Sequence, residues 1–408
     1  MRADKQREVN YKRRQLLKSL VAIPLVSSLS MIPSLSFAAY AASGDKRFIL
    51  VILRGAMDGL AAVAPYGDPA LTGLRGSLLP AENELHKLDS FFGLHPSFSN
   101  LFNLYQESEL AICHAVASPY RQRSHFDGQN VLEIGLDGPD QAESGWLNRC
   151  VPLIGQSNRK NTSASPAMAI GPAVPAVLLG DAEVGSWAPA ILPVPSDSTM
   201  ARLQRLYSED EFLGAKLEQA LLARDMVGEN SMNRSRRPGQ NFNVMIDATA
   251  KFMSQEHGPA IAVMESSGWD THANQGATQG QLARKFTELD EGLARLKRGL
   301  GTSWNNTVVV VVTEFGRTAA VNGTQGTDHG TAGVAFLLGG SVNGGKVLGQ
   351  WPGLASGNLF QGRDLRPTTD MRSLFKTVLR DHLGTEMNKI DSIVFPASSA
   401  AAYLDGLV

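Results

Sequence analysis

Thr307–Thr313 reads Thr-Val-Val-Val-Val-Val-Thr and runs directly into Glu314-Phe315-Gly316-Arg317. Consecutive β-branched residues lose side-chain freedom in a helix and pack well on a pleated surface. The run shows no polar alternation, so it predicts a strand covered on both faces, as in a parallel sheet flanked by helices. In such a sheet ligands gather outside the carboxyl ends of the strands. Glu314, the first residue past the run, stands where chemistry is expected.

Working outward, Phe48–Leu53, Leu110–Val116, Ala260–Met264 and Val334–Leu338 are further short apolar runs. Between them lie helical patterns. Pro96–Glu107 puts Phe98, Leu101, Phe102 and Tyr105 on one face, and Gln281–Leu300 spaces Leu282, Phe286, Leu289, Leu293 and Leu296 at helical intervals. The alternation predicts an α/β fold with a doubly wound, mostly parallel sheet and right-handed crossovers. Residues 151–240 interrupt the rhythm with a Pro/Ser/Gly-rich run, a charged helical pair at Met200–Ala223 and a basic loop at Asn233–Gly239. They read as an insertion over one sheet edge, within a single domain spanning 42–408.

The 408 residues are 43% hydrophobic and 19% charged, enough to bury a large core and unlike disordered or fibrous chains. The net charge of -1 conceals an asymmetry. Residues 1–41 carry seven Lys/Arg against Asp4 and Glu8, a sum of +5, which leaves -6 for the rest. That mildly acidic body does not suit nucleic acid. The basic start has a shape of its own: Lys12-Arg13-Arg14-Gln15-Leu16-Leu17-Lys18, an uncharged stretch from Ser19 to Gly44, and the small-x-small site Ala39-Tyr40-Ala41. It reads as a cleaved signal peptide of the twin-arginine type over 1–41, with a periplasmic or secreted destination and no membrane span once it is removed. Cys113 and Cys150 allow at most one disulfide, so no disulfide framework holds the fold.

Each strand end carries a carboxylate, and three carry a histidine. Arg54-Gly55-Ala56-Met57-Asp58 follows the first run; Arg121-Gln122-Arg123-Ser124-His125-Phe126-Asp127 follows the second; Gly268-Trp269-Asp270-Thr271-His272 follows the third. Glu314 and, farther on, Thr327-Asp328-His329-Gly330 follow the fourth. Mixed carboxylate and imidazole ligands suit Zn or Mn, whereas carboxylate-rich sets suit Mg or Ca. Two divalent ions about 4 Å apart can hold the attacking and leaving oxygens of a displacement at phosphorus or sulfur. Arg54, Arg121, Arg123 and Arg317 lie in the same loops and could grip an oxyanion. Ser124 is the candidate nucleophile, with activated water as the alternative. His125 and Asp127 are additional candidate ligands. The plainer readings are a turn for Asp58, a helix cap or an Arg317 partner for Glu314, and a helix cap for Asp370.

Phe48–Leu60 (FILVILRGAMDGL), Ser118–Gln129 (SPYRQRSHFDGQ), Gly268–Gln275 (GWDTHANQ), Thr313–Thr318 (TEFGRT), Thr327–Gly333 (TDHGTAG) and Asp364–Arg372 (DLRPTTDMR), together with the leader, resemble the bacterial domain-of-unknown-function family 1501. The resemblance runs from about Phe48 to Gly384. It implies a fold of the alkaline phosphatase and sulfatase-like superfamily, a metal-dependent hydrolase ancestry, twin-arginine export and a second exported protein as partner. Carried over by residue, it makes Asp58 the first-strand metal aspartate, Ser124 the nucleophile position with Arg123 beside it, and Asp270, His272 and His329 one metal site with Asp328 in the same turn. Glu314 stands in place of an aspartate and Phe315 in place of a histidine. The second site then falls to Asp58, Glu314 and Ser124, either empty or holding Mg or Ca. The expected function is an exported metal-dependent hydrolase of small or polymeric phosphate or sulfate esters. The alternative is a non-catalytic envelope protein that keeps the fold and binds a polysaccharide or a partner protein.

Overall fold

The computed structural model describes residues 46–154, 167–189, 197–207, 238–255 and 258–408, with isolated positions between 210 and 217. The expected signal peptide, 1–41, lies outside the described residues. Among the described residues there are twelve strands: β1 (Arg47–Arg54), β2 (Val63–Ala64), β3 (His86–Lys87), β4 (Gly93–Leu94), β5 (Leu110–Ala117), β6 (Ala167–Ile170), β7 (Gly185–Trp187), β8 (Ile261–Ser267), β9 (Thr307–Thr313), β10 (Gly333–Leu338), β11 (Lys346–Leu348) and β12 (Thr369–Asp370). Nine of them form one sheet in the order β11-β5-β10-β9-β1-β8-β6-β7, with β12 paired to β5; β2, β4 and β3 form a small antiparallel sheet.

Strand β1 is central, parallel to β8 on one side and β9 on the other. Its residues alternate between two cores. Ile49, Val51 and Leu53 pack with Phe286, Leu289 and Leu293 from one face. Phe48, Leu50 and Ile52 pack with Trp146, Phe375 and Phe395 from the other. The principal helices are α1 (Ser99–Gln106), α2 (His125–Ile134), α3 (Pro238–Met253), α4 (Gln281–Leu300) and α5 (Met371–Thr377). Val308–Val312 are each 0–1% exposed, as a strand roofed on both sides requires. Burying one such side chain contributes about 1.5–3 kcal/mol. Asp370 caps α5 by accepting from the Arg372 backbone N–H, the plainer role read for it.

Two features depart from the sequence reading. Strand β10 runs antiparallel to both β9 and β5, because the connection Glu314–Ala332 returns without a crossover helix. The reversal starts β10 at the same rim where β9 ends, so the loop joining them stays at the carboxyl end. Secondly, the stretch expected to lie over one edge supplies that edge. Ala167–Ile170 pairs with β8 and Gly185–Trp187 pairs with β6, both parallel. These short segments complete backbone hydrogen bonds that β8 would otherwise leave open. Within the charged pair, Asp197–Tyr207 is helical; residues 218–237, with most of the basic loop, lie outside the described residues.

Candidate metal centre

The rim loops meet because glycines let their backbones touch. Gly55, directly after β1, has φ +119°, and a Cβ there would sit 2.7 Å from the Asp270 backbone nitrogen. A Cβ on Gly316 would sit 1.8 Å from the Ala332 carbonyl oxygen. Both contacts demand glycine.

His125, Asp270 and His329 converge there, with His272 adjoining the group. His125 is the first residue of α2, whose N-cap is Ser124. Asp270 and His272 follow β8, and His329 precedes β10 on the returning loop. The Nε2 atom of His329 lies 2.9 Å from Nε2 of His125 and 2.9 Å from Nε2 of His272. Asp270 completes the group, with its carboxylate oxygens 3.4 Å from His125 Nε2, 3.0 Å from His272 Nε2 and 3.4 Å from His329 Nε2.

The far side of each ring fixes its tautomer. His329 Nδ1 donates to the Arg123 carbonyl oxygen at 2.9 Å, and a carbonyl can only accept. His125 Nδ1 donates to Glu314 Oε1 at 2.7 Å, and His272 Nδ1 donates to Asp328 Oδ1 at 3.2 Å. With the Nδ1 atoms protonated, the neutral form of each ring offers its Nε2 lone pair toward a neighbouring ring and the Asp270 carboxylate. A proton shared between neighbouring rings, or a cation among them, satisfies this arrangement. Ligand atoms around a tetrahedral ion bonded at 2.0–2.1 Å stand about 3.3 Å apart, close to the separations found here. Outer carboxylates that orient metal-bound imidazoles are the usual supporting arrangement.

Charge at the site is tuned by neighbours. Burial raises the Asp270 carboxyl, but the hydrogen bond and charge of Arg317 outweigh it and hold the group below its ordinary value. Glu314 is fully buried, which raises its carboxyl, yet donation from His125, Gln129 and the Gly55 backbone brings it below the usual range. The His125 ring is raised, chiefly by the Glu314 hydrogen bond. His329 is lowered by burial and by the nearby His125. Asp328 is lowered, first by donation from Asn322. The side chains of Asp270 and His272 are 38% and 44% exposed, so the group faces solvent.

Several residues take parts other than those read from sequence. Glu314 and Asp328 orient rings rather than joining the converging set. Asp58 is fully buried and paired with Arg75, 2.5 Å from Oδ2 to Nη1, so it is not available as a metal ligand. Ser124 Oγ accepts from the Asp127 backbone N–H as a helix cap, which leaves the expected nucleophile doing structural work. Arg123 pairs with Asp364 and Gln361, Arg54 with Glu133 and Glu265, and Arg317 with Asp270, so these guanidinium groups are already matched with oxygen acceptors. Arg121 donates to the Ser118 and Tyr120 carbonyls. Asp127 accepts from the Tyr120 hydroxyl. Sequence reasoning passed over Arg75 and Gln275; Gln275 closes the GWDTHANQ motif, but an uncharged amide gave no signal of its own.

Residues 116–394 match the family described as "Protein of unknown function (DUF1501)", more than half of the chain. The chain belongs to this family. No curated protein matches this DUF1501 chain. Among solved structures it is similar to the phosphonate monoester hydrolase of Agrobacterium radiobacter at 12% identity, covering 89% of this chain and 79% of that one, with a TM-score of 0.40. A sulfatase from Pseudoalteromonas sp. gives 15% identity, 88% and 71% coverage and a TM-score of 0.39. The phosphonate monoester hydrolase from Silicibacter pomeroyi gives 11%, 88% and 76%, and 0.39. At this distance the likenesses carry no statement about this chain's chemistry.

Proposed function

We propose that this DUF1501 protein is an exported, metal-dependent hydrolase of phosphate or sulfate esters, with a zinc-like divalent ion held by His125, His272, His329 and Asp270. One observation carries the reading: His125, Asp270 and His329 bring their ligand atoms within 4.8 Å of one another at the carboxyl rim of the sheet, and His272 Nε2 lies 2.9 Å from His329 Nε2 beside them. Three nitrogens and one oxygen suit Zn or Mn better than the oxygen-seeking Mg and Ca. When bound, such an ion supplies Lewis acidity and lowers the pKa of water. The chain supplies the rest. Glu314, Asp328 and the Arg123 carbonyl hold the rings in place, and Arg317 keeps Asp270 ionised. Because the Ser124 hydroxyl caps α2, water is the attacking group. The substrate is a small or polymeric ester, and the leader directs the protein to the periplasm or beyond, where a second exported protein is its expected partner.

A second reading has its own support. Arg54, Arg123 and Arg317 are each paired with a carboxylate, which leaves a substrate oxyanion without them and favours an envelope binding protein that keeps the metal and not the catalysis. Elemental analysis of the folded protein, with phosphatase, phosphodiesterase and sulfatase substrates, separates the two. Bound metal with turnover lost in His329→Ala supports the hydrolase. Bound metal with no turnover on any ester supports the binder, and absence of metal removes both.

A further inference from the structure

Asp58 and Glu314 are the acids the sequence offers to a second ion, and Asp58 is already saturated. A carboxylate has about four lone-pair positions. Asp58 Oδ1 accepts from Arg75 Nη2 at 3.0 Å and from the Ala61 backbone N–H at 3.3 Å; its Oδ2 accepts from Arg75 Nη1 at 2.5 Å and from Gln275 Nε2 at 2.8 Å. Glu314 Oε1 accepts from the Gly55 backbone, His125 and Gln129, and its Oε2 accepts from the Thr313 hydroxyl. No lone pair is left to Asp58 for a cation, and the contacts to Glu314 crowd onto its Oε1.

A positive charge nevertheless sits against Asp58. The Arg75 side chain is 1% exposed, and beyond Asp58 it donates to the carbonyl oxygens of Ala319 and Thr318, both at 2.7 Å. Its partner is wired to the converging group. Gln275 donates to Asp58 and accepts from the Thr327 hydroxyl; Thr327 in turn accepts from Arg317 Nε, and Arg317 Nη1 donates to Asp270. The links from Arg317 through Thr327 and Gln275 to Asp58 are buried hydrogen bonds, and the Arg317–Asp270 link is partly buried, so the contacts have little freedom.

We propose that Arg75 is a built-in cation standing where a second metal would otherwise be needed, so that the centre takes one divalent ion per chain. Asp58 is then the counter-charge of Arg75 and the anchor of the relay that positions Asp270. This rests on reading the three histidines and Asp270 as a metal centre.

The test titrates the full folded chain, stripped with chelator, with Co²⁺ alone, reading stoichiometry and the visible absorption of tetrahedral cobalt in the wild type and in Asp58→Asn. The expected result is one ion per chain in both proteins with the same spectrum. Affinity in the variant falls by no more than the roughly 10- to 100-fold that changes outside the ligand set produce. Two ions in the wild type, or loss of an ion in Asp58→Asn, overturns the proposal while leaving the metal centre standing. No ion in the wild type removes the metal centre itself, and the proposal with it. Should Asp58→Asn fail to fold, anomalous scattering from wild-type crystals soaked in Co²⁺ decides: a single peak among the three Nε2 atoms supports Arg75 as the internal cation, and a peak within bonding reach of Asp58 overturns it.

Discussion

His125 Nδ1 lies 2.7 Å from Glu314 Oε1, a carboxylate 189 residues further along the chain. Glu314 is the first residue past a central strand and His125 the first residue of a helix, so two rigid elements set this distance. The hydrogen bond turns the opposite nitrogen of the ring toward His329.

Glu314→Gln keeps the shape and weakens the acceptor. Metal affinity is expected to fall about 10- to 100-fold, with stoichiometry unchanged, as seen when outer carboxylates of metal-bound histidines are altered. Competition against a chromophoric chelator measures it. Wild-type affinity in the variant would mean that the ring is oriented by something else.

Chelation should lower the thermal midpoint. An ion that binds only the folded state stabilises it by about 2.7 kcal/mol at a concentration one hundred times its Kd. The midpoint of the wild type is expected to drop on adding chelator, whereas that of His329→Ala stays put because the variant has nothing to lose. Scanning calorimetry with and without chelator compares the two.

Ser124→Ala separates cap from nucleophile. Loss of the cap on α2 is expected to cost about 1 kcal/mol in urea unfolding. Metal content and ester turnover stay near the wild-type level if water is the attacking group. A folded, metal-loaded variant with no turnover would return the nucleophile to Ser124.

Two buried rings make stability depend on pH. His114 on β5 donates to the Val63 carbonyl and accepts from the Ala115 backbone N–H, and His382 donates to the Arg47 carbonyl. Burial pushes both down to about 4. The unfolded rings take up a proton below about 6.5, the folded ones only near 4, so unfolding gains protons in between. Stability should therefore fall as pH drops from about 6.5 to 4, by about 1.4 kcal/mol per unit per ring in mid-window. Urea midpoints across that window test it. His382→Asn, which keeps the donor, should reduce the slope by one proton, and an unaltered slope would exclude His382 as a source.

The strands were legible because burial on both faces writes an uninterrupted apolar run, and Thr307–Thr313 shows it plainly. Asp270, His272 and His329 were legible because each follows or precedes such a run at the same rim. His125 was legible only as an additional candidate ligand, since its place in the group depends on Ser124 turning inward to cap its own helix. Arg75 left no trace: Leu71-Thr72-Gly73-Leu74-Arg75 is an ordinary short helix, and its pairing with Asp58 exists only once the loops have closed. The direction of β10 was hidden for a similar reason, because an apolar run reads alike in both orientations.

Strand β1, the first to emerge during synthesis among those described, occupies the middle of the sheet, and its neighbours β8 and β9 begin at Ile261 and Thr307. A ribosome must add more than two hundred further residues before either neighbour exists. Meanwhile a stretch as greasy as Phe48–Leu53 waits with its backbone unmatched, the kind of segment that aggregates or recruits a chaperone. Assembly of this protein is thus a late event in its synthesis, and truncation anywhere before residue 313 should yield chains that precipitate instead of smaller folded pieces.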